Sequence, residues 1–335
     1  MELSQNILLT GAGFTANFGG FLAREMWEII FNNPKLNNIQ KIKNLLRDNF
    51  DYEAIYSIIL NSTNYISEEK NSFKEIIKES YNSLDKVIKN YNFTGTDPYG
   101  INIYGVRELL TIFTKCNNQT GIHFTLNQDL FMERQFCRCP LGFSGPQFKD
   151  YRDLIYSRRL DPEKSITLPN TQQVKEFQIN HISNCGDFFI KLHGSHGWLS
   201  ANGGDQMVLG SHKSENIQKE PLLKFYFELF EKALFRQNIK ILIIGYGFRD
   251  EHINTCLIKA IKEYGLKIHI ISTESPELFK QRLLYPDPNH QPLEVKGQII
   301  WNGIESYYQK KLKEIYPADK SKTIHQEDIS KKFRQ

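Results

Sequence analysis

Residues 7–20, ILLTGAGFTANFGG, narrow the choice of fold more than any other stretch of the chain. Ile7, Leu8 and Leu9 form an apolar run too short for a helix and suited to a strand buried on both faces, as in a parallel sheet. Gly11, Ala12 and Gly13 then allow a tight turn, and the amphipathic run over 21–31 predicts a helix. A strand feeding a helix through glycines offers backbone N–H groups to a phosphate. The same glycines also serve plain packing in a doubly wound domain, so this stretch alone leaves both readings open.

The pattern recurs along the chain. Gly121 opens a second strand candidate, IHFTLNQD, and further candidates are FFIKLHGS at 188–195, KILIIGYGF at 240–248 and KIHIIS at 267–272. Helix patterns follow at 106–116, 222–234 and 249–263, where Arg249, Asp250 and Glu251 place acidic residues in a first helical turn. Four of the five strand candidates are followed by helices. The expected fold class is therefore α/β, Rossmann-type, with a mostly parallel sheet and helices on both faces.

Between the first unit and the second strand, apolar residues recur at helical spacing. Ile55, Tyr56, Ile58, Ile59 and Leu60 suggest one helix, and Phe73, Ile76, Ile77, Tyr81, Leu84, Val87 and Ile88 mark another. They predict a helical module inserted at about 35–92, and the polar run 91–105 then reads as a loop. Residues 136–180, with Pro140, Gly142, Gly145, Pro146, Pro162 and Pro169, predict an irregular subdomain or lid. Beyond Pro276 the chain reads as loop-rich to Trp301, then as a terminal helix over 304–315 and a basic tail that frays into solvent. The expected division is a domain over 1–275 and a C-terminal extension over 276–335.

Composition excludes several classes of function. A chain of 335 residues with 40% hydrophobic content can bury a substantial core. No apolar run approaches the ~20 residues that cross a bilayer, and no basic segment followed by a signal-type apolar stretch opens the chain. A soluble cytoplasmic protein without membrane partners is expected. The net charge of +4 lies in residues 306–335, which hold eight Lys or Arg against four Asp or Glu. A nucleic-acid groove would charge the body of the domain instead, so direct nucleic-acid binding is not expected. Cys116, Cys137, Cys139, Cys185 and Cys256 form no C-x-x-C pair, so neither a disulfide framework nor a metal site is expected.

The strand candidates end in groups suited to a ligand. Asn127, Gln128 and Asp129 close the second, although Asn and Asp also favour turns. His193, beside Gly194, closes the third, where either a structural or a catalytic histidine is possible. Taken together, GAGFT at 11–15, TLNQD at 125–129, LHG at 192–194 and GYGFRD at 245–250 resemble, in order and character, the sirtuin-like domain. The nearest resemblance is to its bacterial NAD-consuming branch found in antiphage defence, and it spans residues 7–273.

That resemblance implies NAD bound as substrate across the strand ends, without a metal. Gly11, Ala12, Gly13, Phe14 and Thr15 would lie near the pyrophosphate, and Asn17 on a loop closing over the nicotinamide half. Asn127 would hold the nicotinamide ribose and orient a water, with Thr125 in the same motif and Asp129 near the carboxamide. His193 would be the general base. Gly245, Tyr246, Gly247 and Ser272 would line the adenosine end. Glycosidic cleavage through an oxocarbenium-like state needs a fixed ribose and a positioned base. The four-cysteine zinc module of the protein-deacylating sirtuins is missing, and FTANFGG replaces their loop after the glycines. These departures favour NAD hydrolysis over acyl transfer. A deacylase or ADP-ribosyltransferase, and a non-catalytic NAD or ADP-ribose sensor, are the alternatives. The implied partners are copies of the same chain and a second defence protein: a ring-forming ATPase, a short Argonaute-type protein or a nucleotide-processing enzyme.

Overall fold

Ile7, Leu8 and Leu9 are all completely buried, which requires cover on both faces of the strand that holds them. In the computed structural model this strand is one of the two central strands of a six-stranded sheet. The structure describes residues 3–90, 99–113, 120–136, 166–180, 187–200, 205–207, 209–210, 213–285 and 294–334. The sheet strands are β1 (Leu3–Thr10), β2 (Thr120–Thr125), β3 (Asp187–Lys191), β4 (Lys240–Ile244), β5 (Lys267–Ser272) and β6 (Ile304–Gln309). Their order is β3-β2-β1-β4-β5-β6, and every neighbouring pair is parallel. This is the doubly wound dinucleotide-binding order, whose switch point falls between β1 and β4.

Alternation along the central strands sorts their side chains into two apolar layers. Ile7 and Leu9 of β1 and Ile241 and Ile243 of β4 face one layer, together with helices Pro221–Leu234 and Glu251–Tyr264. Leu8, Leu242 and Ile244 face the other. There the covering residues come largely from the helices over 23–90, including Ile30, Ile42, Ile55, Phe73 and Ile77. The expected helical module is thus one of the two layers that bury the sheet. A small second sheet pairs Ile166–Thr167, Gly194–Leu199 and Asp205–Met207. Most of the expected lid, with Cys137 and Cys139, lies outside the described residues, as do Cys116, Cys185 and the start of the 91–105 loop.

The C-terminal region departs from expectation in three ways. The stretch expected to be loop-rich carries helices Pro276–Leu284 and Glu294–Asn302. Residues 304–309 form β6, where a helix was expected, and only Leu312–Ile315 is helical. Pairing with the open edge of β5 satisfies the backbone of this β-branched and aromatic segment. The tail is also docked. Helix Ile324–Phe333 buries Ile329 and Phe333, and the Phe333 ring lies 5.1 Å from Phe113 and 4.9 Å from His269. No helix among the described residues is long and apolar enough to cross a membrane.

Candidate active site

All six strands point their C-terminal ends to one edge, so the turns after Thr10, Thr125, Lys191 and Ile244 meet there. At the switch point the two glycine loops are pressed together. The Gly11 N–H donates to Ile244 O and the Gly13 N–H to Gly245 O, both at 3.0 Å. A Cβ on Gly11 would meet Gly245 O at 2.6 Å, and one on Gly245 would meet Gly13 C at 2.3 Å. These glycines are therefore required for backbone to approach backbone. Two of the loop's three N–H groups are thus spent on the last residue of β4 and the glycine after it, which is the packing reading of these glycines. Ala12, which is exposed, heads the short helix Ala12–Ala16.

The next residues of this loop split in role. The Phe14 ring is fully buried and packs on Phe18 and Phe131, so its side chain belongs to the core. Asn17 uses both ends of its amide: Nδ2 donates to Gly13 O at 2.7 Å, and Oδ1 accepts from Leu312 N at 3.0 Å. Thr15 turns the other way. Its hydroxyl accepts from Asn127 Nδ2 at 2.9 Å and donates to the Asp129 carboxylate. Burial pushes the Asp129 carboxyl above its ordinary value, and the Lys191 ammonium pulls it partway back.

The β2 end is held by a buried polar ladder. The Asn127 N–H donates to Thr125 Oγ1 at 3.1 Å, and Thr125 Oγ1 also accepts from Thr10 Oγ1 at 2.9 Å. His123 Nε2 meets the same Thr10 hydroxyl at 3.0 Å. The inserted module reaches this loop directly. Tyr81 Oη donates to Gln128 Oε1 at 2.6 Å, and Arg134 forms a two-pronged ion pair with Asp85. Beneath it Lys191 pairs with Glu133 at 2.7 Å, both almost fully buried, and also donates to Asp129 O.

His193 sits on the turn after β3, as expected, and is buried. Its Nε2 lies 3.0 Å from Nε2 of His252, half-buried on helix Glu251–Tyr264. Burial depresses His193 to about 3 and His252 to about 4, while the Asp250 carboxylate works in the opposite direction on both. Both rings are therefore neutral near pH 7. Asp250, at the helix N-cap, makes no capping bond with its side chain and instead pairs with Lys213 at 2.7 Å. Burial works against the Asp250 charge, but His193 and Lys213 outweigh it and hold the carboxyl below its ordinary value. Lys213 also reaches Glu53 of the inserted module at 2.8 Å.

His252, Lys213 and Glu53 were not among the expected site residues. The only sequence signal was Asp250 and His252 two apart after the GYG turn, and the acidic residues there were read as helix-dipole partners. On the far side of the switch point Tyr246 is buried, with its hydroxyl donating to Asn254 Oδ1 at 3.1 Å. Gly247 is exposed and its carbonyl accepts from Arg282. Ser272 Oγ accepts from Glu274 N at 3.1 Å.

Within this edge, then, Thr15, Asn127 and Asp129 form one cluster and His193, Asp250 and His252 another. A family model for the SIR2-like domain matches residues 122–293, half of the chain, and this span contains both clusters except Thr15. No curated protein matches the chain.

Proposed function

The chain belongs to the SIR2-like domain family, and from that premise we propose that it hydrolyses NAD to nicotinamide and ADP-ribose. The supporting observation is the pairing at one sheet edge of a fixed amide, Asn127, with a buried neutral imidazole, His193. Nicotinamide already carries positive charge in NAD and leaves without acid assistance. The protein's task is to fix the ribose, exclude stray water and accept one proton from the attacking water. Asn127, locked by Thr15, holds the ribose and orients that water. His193 takes its proton, and the resulting imidazolium is stabilised by Asp250, whose charge already favours the protonated ring. Asp129 would stand near the carboxamide, the glycine loops near the pyrophosphate, and Ser272 with residues 245–247 near the adenosine.

In this reading the protein is the toxic effector of an antiphage system, held in check as an oligomer or by a second defence protein. The exposed Phe50, Ile58 and Ile66 of the inserted module offer apolar surface for such a contact. The test is nicotinamide release from NAD, without any peptide, by the wild type, Asn127→Ala and His193→Ala. Each is assayed alone and with the product of the neighbouring gene. His193→Ala should lower the rate by about 10²–10⁴-fold, the usual worth of a positioned acid–base group, and Asn127→Ala by about 10²–10³-fold, that of one positioned hydrogen-bonding group. No release by the wild type under either condition would sink the reading.

A further inference from the structure

We propose that His193, His252 and Asp250 form a binding site for a divalent transition cation of the Zn2+ type, and that its occupation switches the site off. Their ligand atoms all lie within 4.8 Å of one another. Two imidazole nitrogens and a carboxylate oxygen are a zinc donor set, and three protein ligands leave a fourth position for water. With Zn–N bonds of about 2.0–2.1 Å, tetrahedral ligation puts two nitrogens roughly 3.3 Å apart. The two Nε2 atoms stand 3.0 Å apart, so a few tenths of an ångström separate the present geometry from the ligated one.

The surroundings support the same assignment. Ligating carboxylates are characteristically fixed by a further hydrogen bond. Here Lys213 holds Oδ1 of Asp250, and Glu53 holds Lys213 from the other side. Asp250, Glu53 and Lys213 together carry one net negative charge beside the two rings, which suits a cation. Entry of the ion needs no oxidant and releases no net proton. The hydrogen between the two Nε2 atoms moves to Nδ1 of its own ring, which frees both Nε2 lone pairs. The occupied site ties up the nitrogen of His193 that faces His252 and sets a dication where the base must gain positive charge. Only this inhibitory part rests on the hydrolase reading.

The test uses the full chain stripped with chelator and titrated with Co2+, whose visible bands report ligand number and type. The wild type should bind one equivalent with visible bands and without the near-ultraviolet thiolate transition that cysteine ligation would give. His252→Ala and His252→Gln should each weaken binding by at least about tenfold, with thermal melting used to show that both remain folded. No uptake, a thiolate transition, or equal binding by the folded variants would overturn the site. Zn2+ added during NAD turnover should stop it, and chelator should restore it. Uptake without inhibition would overturn the switch. Uptake with no NAD turnover under any condition would leave the metal site standing and remove the hydrolase reading instead.

Discussion

The two halves of the strand-end edge are built on different physics. Between β1 and β4, Gly11, Gly13 and Gly245 let two turns touch, and backbone hydrogen bonds close the gap. At the ends of β2 and β3 the turns are joined through side chains: Asn127, Asp129, Lys191 and His193, with Thr15 reaching in from the first loop and Asp250 standing after β4. The first half has spent much of its backbone hydrogen bonding on itself and depends on shape. The second gathers amides, carboxylates and imidazoles in a low-dielectric setting, where each charge must be matched by a partner. Both look alike in the sequence, as a short apolar run closing on small or polar residues. Their chemistry diverges only when the neighbouring strand is known.

The largest difference should appear when the charge side is broken. Lys191→Met leaves Glu133 buried without its ammonium and removes a donor from Asp129 O. Losing one partner of a buried pair costs about 3–5 kcal/mol. Urea unfolding should show that loss, and a second change, Glu133→Leu, should recover part of it because the buried carboxylate goes too. A single-mutant cost under about 1 kcal/mol would mean that water reaches the pair, and the contrast would fail.

The shape side is broken by one methyl group. Gly245 has φ +68°, and a Cβ there would meet Gly13 C and Phe14 N at 2.3 Å each. Gly245→Ala should therefore cost about 3 kcal/mol, at the upper end of local backbone strain, because the clash adds to the conformational term. Gly265 is the control. It also has positive φ, +69°, at the C-cap of helix Glu251–Tyr264, but nothing lies within 4 Å of its added Cβ. Gly265→Ala should cost about 1 kcal/mol, the conformational part alone. Equal costs in the two variants would show that close approach at the switch point contributes nothing.

These contrasts also explain what was legible in the sequence. The first five strands were readable because Ile7–Leu9, Ile241–Ile244 and their counterparts are apolar runs that only two-sided burial explains. The places of Asn127 and His193 at strand ends were readable because each follows directly on such a run. β6 was not: Ile304, Tyr307, Tyr308, Leu312 and Ile315 fall at helical spacing, and only the open edge of β5 makes residues 304–309 a strand. His252 was hidden for a related reason. Asp250 already had a sufficient local explanation as an acid at a helix start, yet the fold spends it on Lys213, 37 residues away along the chain and adjacent in space. A local rule that accounts for a residue conceals the long-range contact that uses it.

Asn17 gives the smallest effect and the sharpest boundary between the two halves. The resemblance to sirtuin-like domains puts it over the nicotinamide, whereas its amide ties the Gly13 turn to the buried Leu312 of the C-terminal segment. Asn17→Ala removes one donor and one acceptor and leaves the Leu312 N–H unmatched, for an expected loss of about 1–2 kcal/mol. Asn17→Asp keeps the acceptor for Leu312 and should recover part of that loss. Stability and the KM for NAD are then read on the same variants. If stability falls and KM holds, Asn17 belongs to the shape side, and the C-terminal segment is what positions the first loop. If KM rises while unfolding is unchanged, Asn17 joins Asn127 and His193. The polar half would then take in the first loop from Thr15 through Asn17, and the shape half would end at Gly13.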